Sequence, residues 1–252
     1  MTNLDALETA VLDAPDEDAP RRTFAAAIAT TDPARAELIE LQLAMAGWRK
    51  ARLRPAAWEA TAIREHALLR DHAARWSAAV GPLAARCRFL RGFVELVELE
   101  ATTYLRTAPR LYRAAPILHL DLTGVKTVAA ALFDSPALAR IHSLRLTNNA
   151  LDDEDARRLA ASPHLGNLGW LDLGRNRIGM DGLEALAASP HLPRLRYVGF
   201  ADNAIPDPMP AHADEYDADT AVGEELARRF GRRPWLAASP PRAPWPPERD
   251  AP

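Results

Sequence analysis

The sequence predicts an α/β fold: a short solenoid of about five parallel strands with outer helices, capped by an all-helical N-terminal region. Three observations predict this architecture. One apolar pattern recurs three times at a constant step, two looser copies precede it, and helix-forming residues dominate the first 90 positions. A single copy cannot bury its own apolar face, so we expect the copies to stack side by side around a shared core.

The recurring pattern has the form L-x-x-L-x-L-x-x-N-x-L, with conservative apolar substitutions. Its three copies occupy residues 141–151, 168–178 and 195–205. Successive copies are 27 residues apart, and the Ser-Pro pairs that precede them follow the same step. A period of about 20 to 29 residues with this core is the signature of leucine-rich repeats.

The spacing of the pattern has a physical basis. Leucines two positions apart point to the same face of a strand, and the residue between them points to the opposite face, toward solvent. The Asn lies where the chain must turn, and its amide can pair with backbone groups that the turn leaves without partners. The segment that follows, such as 153–161, opens with acids that favour a helix N-terminus. Each copy is therefore expected to be one short strand, a turn and a helix.

Two looser copies, which contain Val97 and Ile117, keep the strand pattern but have Thr102 and Val125 at the position of the turn Asn. The helical region before them is expected to cover the exposed N-terminal edge of the sheet. The predicted organisation is a helical cap domain at 1–90, repeats at 91–206, a loop and helix cap at 207–232, and a Pro/Trp-rich tail at 233–252.

Proline-containing turns separate the helices expected in the first 90 residues. Pro20 and Pro33 lie where each can open a helix, and a longer helical stretch is expected from about Pro55 to Val80. The residues of that stretch expected to point inward are Trp58, Ile63, Leu69 and Trp76.

Several segments resemble the repeat-companion domain, a short helical module that precedes leucine-rich repeats in many bacterial proteins. The segments that carry the resemblance are Asp16 to Arg21, Phe24-Ala25, Asp32 to Ile39, Leu41 to Leu43, Trp76 to Leu83, Arg91 to Glu95 and Arg228 to Gly231. The chain departs from the family's pattern at Ala26, Ala27 and Ile28, where the family has an acid and a tryptophan. The resemblance implies repeats similar to the ribonuclease-inhibitor type, and no enzymatic activity.

Composition restricts the classes of function. A formal net charge of −3 gives no general reason to expect nucleic acid or a membrane surface as partner. The lone Cys87 excludes an internal disulfide framework and suits a reducing compartment. No apolar run approaches a membrane span, and the N-terminus lacks the features of a signal peptide. We expect a cytoplasmic protein.

Side chains that point outward from the predicted strands form columns across neighbouring strands. Trp170 and Tyr197 are expected to be adjacent, with arginines and acids beside them. Aromatic rings, Arg and acids on an open, rigid surface are typical of a protein-binding hot spot. The predicted partner-binding residues are Trp170, Tyr197, Arg145, Asp172, His119, Asp121, Glu98 and Arg175. The alternative is that one of the rings packs against the C-terminal tail or loop of the same chain.

The ionisable residues do not suggest catalysis, a metal site or a cofactor. His66 and His72 are six residues apart on a helix and do not share a face as zinc ligands would. His119, Asp121 and Ser143 are the residue types of a catalytic triad, but columns on a flat sheet provide no oxyanion hole. The predicted function is a non-catalytic module that binds another protein. The alternatives are an accessory subunit that docks through its Pro/Trp-rich tail, and an enzyme regulator with its chemistry in the N-terminal helices.

Overall fold

The computed structural model of the protein describes residues 3–204, 221–233 and 235. The predicted acidic loop and most of the predicted Pro/Trp-rich tail lie outside these residues, although Trp235 is described and is buried.

The described residues form α-helices and strands in the expected alternation after residue 92. The helices are α1 Asn3–Asp13, α2 Ala19–Ile28, α3 Pro33–Lys50, α4 Trp58–Trp76, α5 Ala101–Ala114, α6 Ala129–Phe133, α7 Asp153–Ala161, α8 Met180–Ala188 and α9 Ala221–Phe230. The strands are β1 Arg86–Leu90, β2 Phe93–Glu100, β3 His119–Thr123, β4 Ser143–Arg145, β5 Trp170–Asp172 and β6 Tyr197–Gly199.

The strands form one open sheet in the order β1-β2-β3-β4-β5-β6. Strands β3 to β6 are parallel, and Leu120, Leu144, Leu171 and Val198 are directly paired across them. The predicted α/β class is therefore confirmed. The 27-residue step correctly predicts the register of β4, β5 and β6, because equivalent residues of successive copies stand side by side.

The sheet has one strand more than the five expected. The extra strand is β1, in a region that was predicted to be helical. Only Arg91 and Gly92 separate it from β2, and both have left-handed backbone angles, with φ of 49° and 83°. Such a two-residue connection joins antiparallel neighbours. Gly92 also approaches Ile39 so closely that an added Cβ would lie 2.1 Å from its Cγ1 atom.

The chain divides into two compact units. Among the described residues, unit 1 contains 3–97 and 109–118, and unit 2 contains 98–108, 119–204 and the C-terminal residues from 221.

In unit 1, α1 to α4 pack in sequence, each against the next. Pro20 and Pro33 lie in the first turns of α2 and α3, as predicted. The expectation that Ile63 points inward is wrong, since this residue is 65% exposed. In helix α4 only Leu68 is buried, so fewer of its apolar side chains face the core than the sequence pattern predicts.

Unit 1 also contains a buried ion cluster. The guanidinium of Arg21, which is fully buried, forms an ion pair with the Glu95 carboxylate at 2.9 Å, and Arg91 donates to the same carboxylate at 2.8 Å. Arg21 and Arg91 also donate to the Pro15 carbonyl, at 2.7 and 2.9 Å. Two guanidinium groups share one carboxylate, so the remaining positive charge is compensated by backbone carbonyls and by Asp18, 3.2 Å from Arg91.

In unit 2, the leucines of the repeats form a continuous buried layer. The side chains of Leu144, Leu146, Leu171 and Leu173 are completely enclosed. Their alternation with polar residues along each strand is the period-two pattern predicted from the sequence.

The turn asparagines connect successive copies by hydrogen bonds. Asn176 donates to the Leu146 carbonyl of the preceding copy at 2.9 Å, and its Oδ1 accepts from the backbone N–H groups of Asn149 and Leu151 at 3.0 and 3.1 Å. Asn149 and Asn203 bond in the same way to the copies before them. The predicted role of the Asn in satisfying the turn is confirmed.

Acids at the helix starts act as predicted, and one of them acts across copies. Asp152 and Asp155 form a capping box at the start of α7, and Lys126 contacts both carboxylates at 2.5 Å. The Asp153 carboxylate accepts from the backbone N–H groups of Gly179 and Gly182, at 2.6 and 3.0 Å, at the start of the next helix, α8.

Candidate functional site

The candidate site is the polar face of unit 2, the side of strands β3 to β6 that is opposite the buried leucines, together with Glu98 near the end of β2. Its side chains are those of Glu98, His119, Asp121, Ser143, Arg145, Trp170, Asp172 and Tyr197. Because the strands are paired in register, these residues form two parallel rows.

The first row is an ion ladder on adjacent strands. Arg145 lies between two acids, with Nη1 3.4 Å from the Asp121 carboxylate and Nε 3.8 Å from that of Asp172. The side chain of Arg145 is 36% exposed, and those of Asp121 and Asp172 are 16% and 20% exposed. The row is therefore partly accessible from solvent, and its charges hold each other in place.

The second row lies two residues closer to the starts of the strands and is more deeply buried. The His119 Nδ1 atom lies 2.9 Å from the Ser143 hydroxyl, and both residues are buried. The rings of Trp170 and Tyr197 are stacked, with centroids 5.0 Å apart and planes within 10°. Trp170 is only 5% exposed, whereas Tyr197 is half-buried.

Glycine at position 199 makes room for the first row. An added Cβ there would lie 2.8 Å from the Asp172 Oδ1 atom and 3.2 Å from the Tyr197 hydroxyl. The Asp172 Oδ1 atom also accepts from the Gly174 N–H at 2.9 Å. Gly199 was not among the residues predicted for the site. The signal was a glycine at a position where the other strands have charged side chains.

Arg175 lies in the turn that follows β5, beside the polar face. It has a left-handed backbone conformation, with φ of 57°, and Asn148 and Asp202 have the same conformation at the equivalent positions of the neighbouring copies. Its side chain is 74% exposed and lies 3.5 Å from the Asp202 carboxylate. The repeated conformation is a property of the turn, and it leaves the Arg175 side chain exposed beside the polar face.

The structure brings most of the predicted partner-binding residues together but gives them different exposure. Trp170 and Tyr197 are adjacent, as predicted, and Arg145 contacts both acids of its row. His119 and Trp170 are buried, so they pack beneath the exposed side chains of the face. The members that reach solvent are Glu98, Asp121, Arg145, Asp172, Arg175 and Tyr197.

The polar face carries an excess of negative charge. Three carboxylates, those of Glu98, Asp121 and Asp172, lie on its strands with one arginine, Arg145. Among the described residues, no group of three His, Cys, Asp or Glu side chains is arranged to hold a metal ion. A shallow groove of about 280 Å³ lies on the helices of unit 2 and is lined by Arg157, Asp181, Glu184, Ala185, Ala188 and Phe230. Its carboxylates face arginines, with Asp181 beside Arg157 and Glu184 beside Arg229.

Comparison with known proteins found no family model, no curated protein and no solved structure that matches the chain. Within the part of the chain that the structure describes, none of the helices has the length and apolar character needed to cross a membrane.

Proposed function

We propose that this protein is a non-catalytic interaction module, built from leucine-rich repeats, that binds a protein partner on the polar face of unit 2. We also propose that the repeats form a short solenoid with a repeat-companion-like cap, and that the protein is cytoplasmic. The observation that carries it is the ordered ladder of partly exposed charges beside the Trp170–Tyr197 stack.

Preorganisation supports this function. Arg145 is held by an acid on each side, and Tyr197 is held flat against the buried ring of Trp170. Immobilising a side chain on binding costs about 0.5–1.5 kcal/mol, and this cost is smaller for side chains that are already ordered. Tyrosine and arginine are also the residue types that contribute most often to binding hot spots.

The charge of the polar face indicates the chemistry of the partner. With three carboxylates and one arginine among its strand residues, the face favours a partner that presents Lys or Arg. Affinity for such a partner should fall as salt is added, because exposed charges are screened over about 8 Å at physiological ionic strength.

A double variant, Tyr197→Ala with Asp172→Asn, tests the polar face. Asparagine keeps an acceptor for the Gly174 N–H, so this change removes charge while retaining the hydrogen bond. A photo-crosslinking amino acid at Arg175, which is 74% exposed, would capture the partner of the otherwise natural chain. We expect the double variant to lose the captured partner and to remain folded.

A matched control is available on the helices of unit 2. Asp181→Asn with Phe230→Ala makes the same kinds of change on the groove described above, and should leave the captured partner unchanged. Recovery of one partner at equal yield from the wild type and from both double variants would contradict the proposal. Trp170→Ala is unsuitable as a probe, because removing a buried Trp side chain costs about 3–5 kcal/mol and would perturb the fold.

A further inference from the structure

Arg35 of unit 1 is held among aromatic rings. It is the third residue of α3, whose N-cap is Asp32. Its guanidinium carbon lies 5.0 Å from the ring centroid of Phe93, 5.5 Å from that of Trp76 and 5.9 Å from that of Phe89. Contacts within about 6 Å of a ring centroid are attractive for a cation, and they hold the guanidinium plane in a fixed position.

The Arg35 guanidinium lacks an acceptor within the described parts of the chain. Its Nε atom is enclosed without a hydrogen-bond partner. Among the described residues, no side-chain hydrogen bond or ion pair involves the Arg35 guanidinium. Its Nη atoms, unlike Nε, are not enclosed. The residue as a whole is half-buried, so the two terminal nitrogens retain contact with solvent.

The two buried arginines of unit 1 differ from Arg35. Arg21 and Arg91 both bind the Glu95 carboxylate directly. A buried cation without a carboxylate is uncommon, because the loss of hydration is not repaid. Burial accordingly lowers the pKa of Arg35 to about 10, and the charges of Glu8 and Asp32 offset this only in part.

The nearby Asp32 carboxylate is occupied by other donors. It accepts from the Trp76 Nε1 atom at 3.1 Å, from the Arg75 Nη2 atom at 3.0 Å and from the backbone N–H of Arg35 at 3.2 Å. Burial raises the pKa of Asp32, but these hydrogen bonds and the Arg75 charge outweigh it and hold the pKa below its usual value. Asp32 therefore fixes the start of α3 and the position of Trp76, and leaves the Arg35 side chain without an acceptor.

We propose that Arg35, with the rings of Trp76, Phe89 and Phe93, forms a binding site for a single carboxylate group. A guanidinium presents its N–H donors in a planar fork that matches a carboxylate, and the rings already orient that fork. A planar monoanion fits this site better than a phosphate dianion, because Asp32 and Glu8 contribute opposing negative charge nearby. The site is independent of the polar face. The carboxylate comes either from an acidic side chain of a partner protein or from a small free acid.

Nuclear magnetic resonance of the full chain, labelled with ¹⁵N-arginine, tests the site directly. The Nε–H of Arg35 is enclosed, so its exchange with water should be slow enough to give a resolved signal, which Arg35→Lys would assign by its loss. Three probes are titrated: acetate, an N-acetylated tetraglutamate amide, and inorganic phosphate. We expect a saturable shift of the Arg35 signal with acetate and with the peptide.

The sources of the carboxylate are separated by concentration. A partner's acidic side chain is indicated if the peptide saturates the signal at a concentration about tenfold or more below that of acetate, which corresponds to about 1.4 kcal/mol. Equal or weaker binding of the peptide indicates a free small acid. Either result supports the carboxylate site, whereas tighter binding of phosphate than of acetate would overturn the assignment of the ligand.

Two variants serve as controls. Arg35→Met keeps the apolar packing and removes the donors. In the wild type, we expect acetate or the peptide to change the tryptophan fluorescence of the chain through Trp76, and in Arg35→Met we expect no such change. Arg64→Met removes an exposed arginine of α4 that is paired with Glu37 at 2.6 Å, and should leave binding intact. An unchanged Arg35 signal in the wild type at saturating acetate and peptide would refute the proposal, whatever the stability of the variants.

Discussion

Replacing Asn176 with Ala should destabilise unit 2 more than any other change to the turn asparagines. Asn176 is buried, and its Oδ1 atom accepts from two backbone N–H groups, those of Asn149 and Leu151. Its Nδ2 atom donates to the carbonyls of Leu146, Leu173 and Gly174, at 2.9, 2.7 and 3.2 Å. Alanine leaves these groups buried without that side-chain partner.

The magnitude follows from the number of N–H groups that lose their acceptor. Each buried donor left without a partner costs about 1–3 kcal/mol, so two such groups give about 2–6 kcal/mol. A domain is typically stable by only about 5–15 kcal/mol, so this change removes a large part of the total. The orphaned carbonyls add less, because water or small adjustments satisfy them more easily.

Two other asparagines provide an internal scale. Asn149 accepts from one backbone N–H, that of Val125, so Asn149→Ala should cost about half as much. Asn167 is partly exposed and bonds to the Ala139 carbonyl and to Arg194, so Asn167→Ala should cost less than about 1 kcal/mol. The expected order of destabilisation is Asn176, then Asn149, then Asn167.

Urea unfolding followed by circular dichroism gives the free energies of unfolding, and amide hydrogen exchange locates the effect. Exchange of the Asn149 and Leu151 amides should accelerate in Asn176→Ala before other amides of unit 2 do. Equal midpoints for the variants at positions 176 and 167, at unchanged urea slope, would refute the assignment of stability to these hydrogen bonds.

Three further changes follow from the turns and helix starts of unit 2. Gly182→Ala should destabilise by about 1–3 kcal/mol, because the new Cβ would lie 2.5 Å from the Ile178 Cγ2 atom; a melting temperature equal to that of the wild type would contradict this. Arg175→Gly should stabilise by about 0.5–1 kcal/mol in urea unfolding, because Gly tolerates φ of 57°; Arg175→Ala, which retains the backbone strain, should show no such gain. The pKa of Asp152 is lowered from 3.8 to about 2, mainly by the hydrogen bond from Lys126. The ionised Asp152 carboxylate therefore stabilises the fold above about pH 4, and this stabilisation is lost as the pH falls toward 2. Asp152→Asn should reduce this loss in acid-unfolding curves, and an identical acid profile for variant and wild type would contradict the inference.

Periodicity predicted the strand register of unit 2 because one constraint fixes several features at once. A constant step of 27 residues aligns the leucines, the turn asparagines and the outward columns together, so the pairing of Leu144, Leu171 and Val198 follows directly. Unit 1 has no such repetition. The strand β1 was missed because Arg86 and Arg88 alternate with apolar residues over only five positions, and the turn after it uses Arg-Gly instead of the more typical Asn-Gly.

The sequence predicted which residues of the candidate site are adjacent, but not how deeply each of them is buried. Strand alternation gives the face toward which Trp170 points, and the repeat step gives its contact with Tyr197. Exposure depends on the packing around that face, which the strand pattern does not encode, and Trp170 is buried. The Arg35 site was not predicted, because its three rings come from α4, β1 and β2, at sequence separations that no local pattern connects.

The bonds between copies have a consequence for how unit 2 assembles. Asn176 and Asn203 each reach back 30 residues to a carbonyl, and Ser162 and Ser189 each reach back 29. Every such bond closes a loop of nearly equal and modest length, so adding a further copy would not lengthen the loops already formed. We therefore expect unit 2 to fold copy by copy, each copy forming on its neighbour at a similar entropic cost. Duplication of a whole copy would extend the unit with the same hydrogen bonds between copies.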